Sequence, residues 1–116
     1  MTAYYAGIEG EQAASKYLQQ IGIRVLHQRY RAGGGEIDLV ALDGEILCFI
    51  EVKHRPKGRL GDGLQSVDMD KRRRLRAASR HYLAGEMRTR SWRFDILEIT
   101  RAGIWYARGA AVQERG

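Results

Sequence analysis

The sequence of 116 residues predicts an α/β fold in which a mixed β-sheet is covered by helices. Apolar residues recur at helical spacing in two segments, one near the amino terminus and one in the second half of the chain. Short apolar runs bounded by glycines and turn residues lie between and after these segments. The predicted order is one helix, three strands, one helix and two strands, and the length suits a single domain over residues 1–116.

The first helix is predicted over residues 4–21, where apolar side chains recur on one face up to Ile21. Gly22 follows where a C-cap glycine is expected. Residues 23–31 alternate apolar and polar side chains and therefore predict a half-buried strand, which the glycines at 33–35 end.

Two strands joined by a tight turn are predicted over residues 36–54, because Asp43-Gly44 favours a two-residue hairpin loop. In the register that this loop sets, Asp38 lies diagonally across from Glu51. Residues opposite each other, and residues two apart on one strand, share a face of the sheet. Four charged side chains are therefore predicted on one side: Glu36, Asp38, Glu51 and Lys53.

The second half of the chain begins with a predicted loop over residues 55–63, which is rich in glycine and basic residues. A second helix is predicted from about Asp68, a suitable N-cap, to about Leu83. A further strand is predicted over residues 92–99, and a last strand over residues 104–112.

Several functional classes are excluded by composition. The first residues contain no basic segment followed by an apolar run, so we expect no signal peptide, no membrane span and a cytoplasmic protein. Cys48 is the only cysteine, which rules out an internal disulfide and a thiolate zinc site. The three histidines are far apart and lack the spacing of metal-binding motifs.

The net charge of +6 favours a polyanionic partner, most often nucleic acid. Lysine and arginine concentrate in residues 53–59, 71–76 and 88–93. An ordinary solvated surface is the alternative interpretation of such runs. The residues that we expect to contact nucleic acid, DNA above all, are Arg55, Lys57, Arg59, Gln65, Lys71, Arg72, Arg73, Arg74 and Arg76.

Four charged residues fall at positions where core residues would be expected. Glu51 and Lys53 interrupt the apolar run that begins at Cys48, and Glu11 and Lys71 lie on the apolar sides of the predicted helices. Carboxylates gathered at one point need a cation, and Mg²⁺ or Mn²⁺ prefers oxygen ligands. Beside a phosphate, such a site can hydrolyse a phosphodiester. The alternative is a surface ion pair worth under about 1 kcal/mol.

These residues also resemble a known family. "EID" at 36–38, followed after a turn by "EVK" at 51–53, resembles the metal-binding core of the PD-(D/E)XK nuclease superfamily. Residues 7–26 are similar to the first helix and strand of archaeal-type Holliday junction resolvases. The match is closer still to the YraN-like family of small bacterial proteins, in which "GE", "GEIDL", "FIEVK", a helix lysine and "RFD" recur together. It covers about Gly7 to Ile99.

The resemblance implies an αβββαβ core like that of restriction endonucleases, and Mg²⁺- or Mn²⁺-dependent cleavage of DNA, including branched DNA. Asp38 and Glu51 match the metal ligands, Lys53 the catalytic lysine and Glu11 the acid of the first helix. Glu36 is either a further ligand or simply a residue that begins the strand. Relatives of this type form homodimers, so we expect one here.

Two other functions stay open at this point. The chain can be a nucleic-acid-binding module that keeps the fold and the basic surface without cleaving its partner. It can also serve an RNA-directed or scaffolding role.

Overall fold

The helices and strands of the described part of the chain follow the predicted order. The structure is a computed structural model, and it describes residues 3–55, 69–87 and 89–109. The elements are α1 (Ala3–Gln20), β1 (Arg24–Ala32), β2 (Gly35–Asp43), β3 (Ile46–His54), α2 (Met69–Ala84), β4 (Trp92–Thr100) and β5 (Gly103–Ala107). Neither helix is long and apolar enough to cross a membrane.

The strands form one sheet in the order β1-β2-β3-β4-β5. β3 and β4 are parallel, and the other neighbouring pairs are antiparallel. Parallel neighbours need a crossover connection, and the segment that contains α2 supplies it. The architecture confirms the predicted α/β class, a mixed sheet flanked by helices, and is consistent with a restriction-endonuclease-like core.

Each face of the sheet has its own apolar core under one helix. The core under α2 contains the buried residues Ile37, Val40, Leu47, Phe49, Leu75, Ala78, Phe94 and Ile96. The core under α1 contains Ala14, Leu18, Ile23, Leu39, Ala41, Cys48, Ile50 and Leu97. Since side chains alternate along a strand, the odd-numbered residues of β3 face α2, and this alternation puts Glu51 and Lys53 on that side.

Gly22 ends α1 as predicted. The N–H of Gly22 donates to the carbonyl oxygen of Gln19 at 3.1 Å, and the N–H of Ile23 donates to that of Leu18 at 2.9 Å. These two hydrogen bonds form a Schellman motif, which favours glycine because its capping residue has a positive φ. Gly22 has a φ of 87°. The chain then turns directly into β1.

The loop of the β2–β3 hairpin differs from the prediction. Asp43 pairs with Ile46, so the two-residue loop is Gly44-Glu45 and the predicted loop, Asp43-Gly44, was wrong. Gly44 takes the first loop position with a φ of 61°, a value that glycine adopts without strain. Asp43 instead stays in β2, where its carboxylate forms an ion pair with Arg93 at 2.9 Å.

The corrected loop displaces the pairing by two residues. A displacement of two preserves the face on which each side chain emerges, whereas a displacement of one would reverse it. The ladder ends at Leu39 and Ile50. Phe49 pairs with Val40 and not with Asp38, so the predicted register was wrong.

Other boundaries also differ. The last strand was predicted to reach residue 112, but β5 ends at Ala107 and residues 108–109 form a turn. There the N–H of Gly109 donates to Oδ1 of Asp95 at 2.7 Å, which directs the backbone away from the ladder. Residues 110–112, most of the predicted loop 55–63 and the predicted N-cap Asp68 lie outside the described residues.

The position of α2 depends on the absence of a side chain at Gly35. A Cβ atom built there would overlap the carbonyl oxygen of Arg74 and would lie 2.8 Å from the backbone nitrogen of Ala78. Both atoms belong to the helix backbone, so no side-chain rotation can relieve the overlap. This close approach holds α2 against the start of β2.

Replacement of Gly35 by alanine is expected to destabilise the fold by about 2–4 kcal/mol, because the helix must move away from the sheet. Urea denaturation measures the free energy of unfolding. Gly85→Ala is the matched control, since its Cβ would meet the carbonyl oxygen of Tyr82 at an ordinary 3.5 Å. Equal losses in the two variants would contradict the role given to Gly35.

Candidate functional site

Asp38 lies at the point where the β2–β3 ladder stops. The pairing ends at Leu39 and Ile50, although both strands continue beyond these residues. Beyond that point, Oδ2 of Asp38 accepts a hydrogen bond from the backbone N–H of Val52 at 2.8 Å. A side chain of β2 thus accepts the hydrogen bond that a backbone carbonyl oxygen of β2 would accept in a regular ladder.

An irregularity in β1 accompanies this arrangement. The β1–β2 pairing skips Arg29 and Asp38, although residues on either side of them are paired. Arg29 has a φ of 53°, a backbone conformation that residues other than glycine adopt in only a few per cent of cases. Strand irregularities of this kind turn side chains toward functional sites. Asp38, at this gap in the pairing, directs its carboxylate at the backbone of β3.

Glu51 and Lys53 are both buried, with exposed fractions of 4% and 8%. The Nζ of Lys53 lies 3.4 Å from Oε1 of Glu51, and the Nζ of Lys71, from α2, contacts the same oxygen. One carboxylate oxygen therefore faces two ammonium groups. This pairing explains how an apolar strand accommodates the charges of "EVK", since a buried anion without a partner would be strongly destabilising.

The pKa values of Lys53 and Lys71 are shifted in opposite directions. Burial, and after it the neighbouring Lys71, lowers the pKa of Lys53. Burial also acts to lower the pKa of Lys71, but the contact with Glu51 outweighs burial and the pKa is raised. Lys71 is therefore the more permanent cation, and Lys53 is the group that gives up its proton more readily.

Asp38 is the acid of this cluster that resists ionisation. Burial, followed by the negative charge of Glu51, raises the pKa of Asp38 to about 7. The N–H of Val52 and the charge of Lys71 act in the opposite direction, and the charge of Glu11 adds to the increase. The ammonium groups present are thus not enough to stabilise a second carboxylate, and a further cation would favour its ionisation.

The two other predicted acids are paired with β1. Glu11 is buried on the sheet-facing side of α1, and its Oε2 accepts a hydrogen bond from Nε of Arg29 at 2.7 Å. Glu36 is more exposed, and its Oε2 lies 3.6 Å from Nε of Arg31. Both acids therefore have arginine partners, and Glu11 acts on Asp38 through its charge.

A small cavity of about 90 Å³ lies between β2, β3 and α2. Its lining side chains are Glu36, Asp38, Glu51, Lys71 and Arg74. Glu11, also in the described part of the chain, is not among them. The structure thus brings three of the four predicted metal ligands to one cavity and leaves the fourth beside it.

The residues of the cavity fit a hard divalent cation. Within residues 3–55, 69–87 and 89–109, no three His, Cys, Asp or Glu side chains are placed to bind one ion together. Mg²⁺ is nevertheless often held by one or two carboxylates, with water and substrate phosphate as its other ligands. Asp38 and Glu51 are two carboxylates of this kind in one cavity, and a cation bound there would oppose the effects that raise the pKa of Asp38.

The predicted phosphate-binding residues of α2 have different surroundings. Arg74 lines the cavity. Arg73 points to solvent and forms an ion pair with Asp70. Arg72 and Arg76 are half-buried. Arg74 is therefore the arginine of this helix that is best placed to meet a phosphate at the cavity.

The remaining predicted contacts belong to the segment that follows β3. Arg55 is half-buried, and its backbone N–H donates to the carbonyl oxygen of Ile99 at 2.8 Å. Lys57, Arg59 and Gln65 lie outside the described residues.

Glu98 is a candidate that the sequence interpretation missed. It lies on β4 opposite Lys53 in the parallel register, and only 1% of it is exposed. Alternation along β4 puts it on the same side as Phe94 and Ile96, which belong to the core under α2. An acid at the third position of that apolar series marks it in the sequence.

A second buried acid, Asp95, has a different environment. It is fully buried, and Nε of Arg93 donates to its two carboxylate oxygens at 2.9 and 3.1 Å. The hydroxyl of Tyr106 and the N–H of Gly109 donate to it as well. Because donors surround it, Asp95 fixes β5 and the following turn onto the sheet, and we assign it no chemistry.

Known proteins match this chain over most of its length. The model described as "Uncharacterised protein family UPF0102" matches residues 10–99. The UPF0102 protein of Nitrosococcus oceani is 45% identical over 96 residues, which cover 81% of this chain and 77% of the relative. The relative from Moorella thermoacetica is 42% identical over 100 residues, covering 85% of this chain and 83% of its own.

A third relative, from Chlorobaculum parvum, is 42% identical over 101 residues, which cover 86% of this chain and 78% of the relative. These matches confirm the family expected from the sequence motifs. They name a family and no reaction, so the chemistry has to be inferred from the site.

The pKa of Asp38 makes its contribution to stability pH-dependent. The ordinary pKa is 3.8, and in the fold it is about 7, so the folded protein keeps a proton that the unfolded chain releases. The stability that this proton provides is complete below about pH 4 and is lost as the pH rises through about 7. Relative to Asp38→Asn, the wild type should lose up to about 4 kcal/mol of unfolding free energy over that range.

Urea denaturation of both proteins at a series of pH values tests this expectation. The asparagine keeps an acceptor for the N–H of Val52, so the variant removes ionisation rather than the hydrogen bond. Asp70→Asn, which changes an exposed acid of α2, is the control. Its unfolding free energy should differ from that of the wild type by a small amount that stays the same at every pH above about 5. A constant difference between wild type and Asp38→Asn would mean that Asp38 ionises normally.

Proposed function

The chain belongs to the UPF0102 family, and we propose that it is a Mg²⁺- or Mn²⁺-dependent endonuclease that hydrolyses phosphodiester bonds in DNA, including branched DNA. One observation carries the proposal: Asp38, Glu51 and Lys53 are gathered where the ladder between β2 and β3 stops, beside a small polar cavity. Buried groups with strongly shifted pKa values next to a cavity are typical of catalytic sites.

Asp38 and Glu51 are the residues that would hold the cation, with Glu36 in the same cavity. When bound, a divalent cation supplies positive charge that polarises a phosphoryl oxygen and makes water a better nucleophile. Asp38 has to lose its proton to act as a ligand, and its pKa of about 7 allows this near neutral pH.

Lys53 provides the chain's own charge at the reaction centre. Its ammonium is fixed beside Glu51 by burial, so it is already oriented before a substrate arrives. It can stabilise the negative charge that develops on the phosphate. Because its pKa is lowered, it can also exchange a proton more easily than an ordinary lysine.

The size of the cavity and the net charge of the chain support a polymeric substrate. A volume of about 90 Å³ is well below the roughly 300 Å³ of the smallest ordinary ligand pockets, so a nucleotide does not fit inside. A phosphodiester would have to be presented at the mouth of the cavity by a strand lying across the surface. The net charge of +6 and the position of Arg74 favour such a polyanion.

A nucleic-acid-binding module that does not cleave is the second candidate function, and the ion pairs of the acids support it. Glu11 is paired with Arg29, and Glu51 with Lys71 and Lys53. A site whose acids already have internal partners can be stable without any metal. The homodimer and the cytoplasmic location expected from the sequence stay predictions.

Mn²⁺ is expected to support cleavage of linear, flapped or four-way DNA by the purified protein, and EDTA to abolish it. Lys53→Ala should lower the cleavage rate by about 100-fold or more, because the charge that meets the developing anion is lost. Denaturing gels of end-labelled substrates measure the rate.

Lys16→Ala is the matched control for that experiment, since Lys16 is an exposed lysine of α1 and should keep the wild-type rate. Salt-sensitive DNA binding without cleavage, equal in wild type and Lys53→Ala, would support the binding module in place of the enzyme.

Arg74→Ala should weaken DNA binding several-fold at low salt and reduce the slope of log K against log salt concentration by about one. Arg73→Ala, one residue away, should have a smaller effect, because its charge is already balanced by Asp70. Fluorescence anisotropy over a range of salt concentrations provides both quantities. Equal losses in the two variants would show that the cavity does not direct the contact.

A further inference from the structure

Lys71 occupies the position in this cluster where a cation would otherwise be needed. Its ammonium contacts Oε1 of Glu51, and its side chain lines the same cavity as Asp38 and Glu51. Three acids act on this region together, because the charges of Glu51 and Glu11 both raise the pKa of Asp38. The charge of Lys71 opposes them and favours ionised Asp38.

We propose that Lys71 is an internal substitute for the divalent cation. In the metal-free protein its ammonium neutralises Glu51, and on metal binding it is displaced to the mouth of the cavity, where it meets the phosphate of the substrate. This inference rests on the proposed function, because it takes Asp38 and Glu51 to be the residues that hold the ion.

The difference in exposure between the two lysines identifies Lys71 as the one that moves. Its side chain is 37% exposed, whereas that of Lys53 is 9% exposed and extends from the middle of the sheet. Lys71 also lies in the first turn of α2, on a long flexible stem, so it can change partner without disturbing the helix.

Displacement would make the binding of cation and substrate cooperative. In the absence of a phosphate, the cation has to compete with Lys71 for Glu51. When a phosphate is at the cavity mouth, the displaced ammonium gains a new partner beside Arg74, and the competition is weaker. Each ligand therefore raises the affinity of the other by the same factor.

The test measures Mn²⁺ binding by isothermal titration calorimetry, in the absence of DNA, for the wild type and Lys71→Ala. Removal of the competing ammonium should tighten Mn²⁺ binding by roughly 5- to 150-fold, the usual range for coupling between two ligands. Cleavage of DNA by the same variant should fall, because the phosphate loses a contact. The two readouts thus move in opposite directions.

Two further variants complete the experiment. Lys71→Met removes the charge but keeps an unbranched apolar side chain. It should bind Mn²⁺ as tightly as Lys71→Ala does, which would show that the effect comes from the charge and not from a change in packing. Arg74→Ala removes one positive charge from the same cavity but from a residue that, among the described ion pairs, has none with Glu51, and should change Mn²⁺ affinity much less.

The outcomes separate this inference from the function on which it rests. Mn²⁺ binding that is equal or weaker in both Lys71 variants, with binding retained by the wild type, overturns the inference and leaves the nuclease proposal standing. Tightening by the same factor in Arg74→Ala would also overturn it, because any nearby charge would then suffice. No Mn²⁺ binding by any of the proteins would overturn the proposed function and this inference with it.

Discussion

Glu51 is buried, and ammonium groups reach its carboxylate from two different elements; this contact sets the geometry around it. Lys53 comes from the same strand and Lys71 from α2, so the helix has to lie close to the sheet. Gly35 permits this closeness, because it has no side chain to separate β2 from the helix backbone. The packing of the fold and the electrostatics of the cavity therefore depend on the same contact.

The sheet buries its acids in two contrasting ways. Asp95 is surrounded by donors from Arg93, Tyr106 and the backbone, and so serves as a fixed link between β4, β5 and the turn after it. Asp38 has one backbone donor and two acidic neighbours, and its pKa rises to about 7. A buried carboxylate whose oxygens are all hydrogen-bonded stabilises a fold, whereas one with few donors and acidic neighbours is a candidate ligand for a cation.

The sequence predicted much of this arrangement, and its errors have physical causes. The parity of "EID" and "EVK" correctly put Asp38 and Glu51 on one side, because the error in the hairpin loop was an even number of residues. The error itself arose from Asp43, which local turn statistics assign to the loop but which Arg93, fifty residues away, holds in the strand. Long-range ion pairs of this kind leave no local trace.

Two other features were also beyond local patterns. Arg29 has a positive φ and forms an ion pair with Glu11 of α1, and nothing in the neighbouring residues indicates either feature. Glu98 interrupts an apolar series in the sequence, but only the parallel register shows that it lies opposite Lys53. That register has a consequence for the order of folding. Leu47 pairs with Trp92 across 45 positions of the chain, whereas the hairpin that carries Asp38 is closed by a loop of two residues. Distant pairings form slowly because a long segment must first be closed, so we expect the acids to keep their hydration until the final stage of collapse.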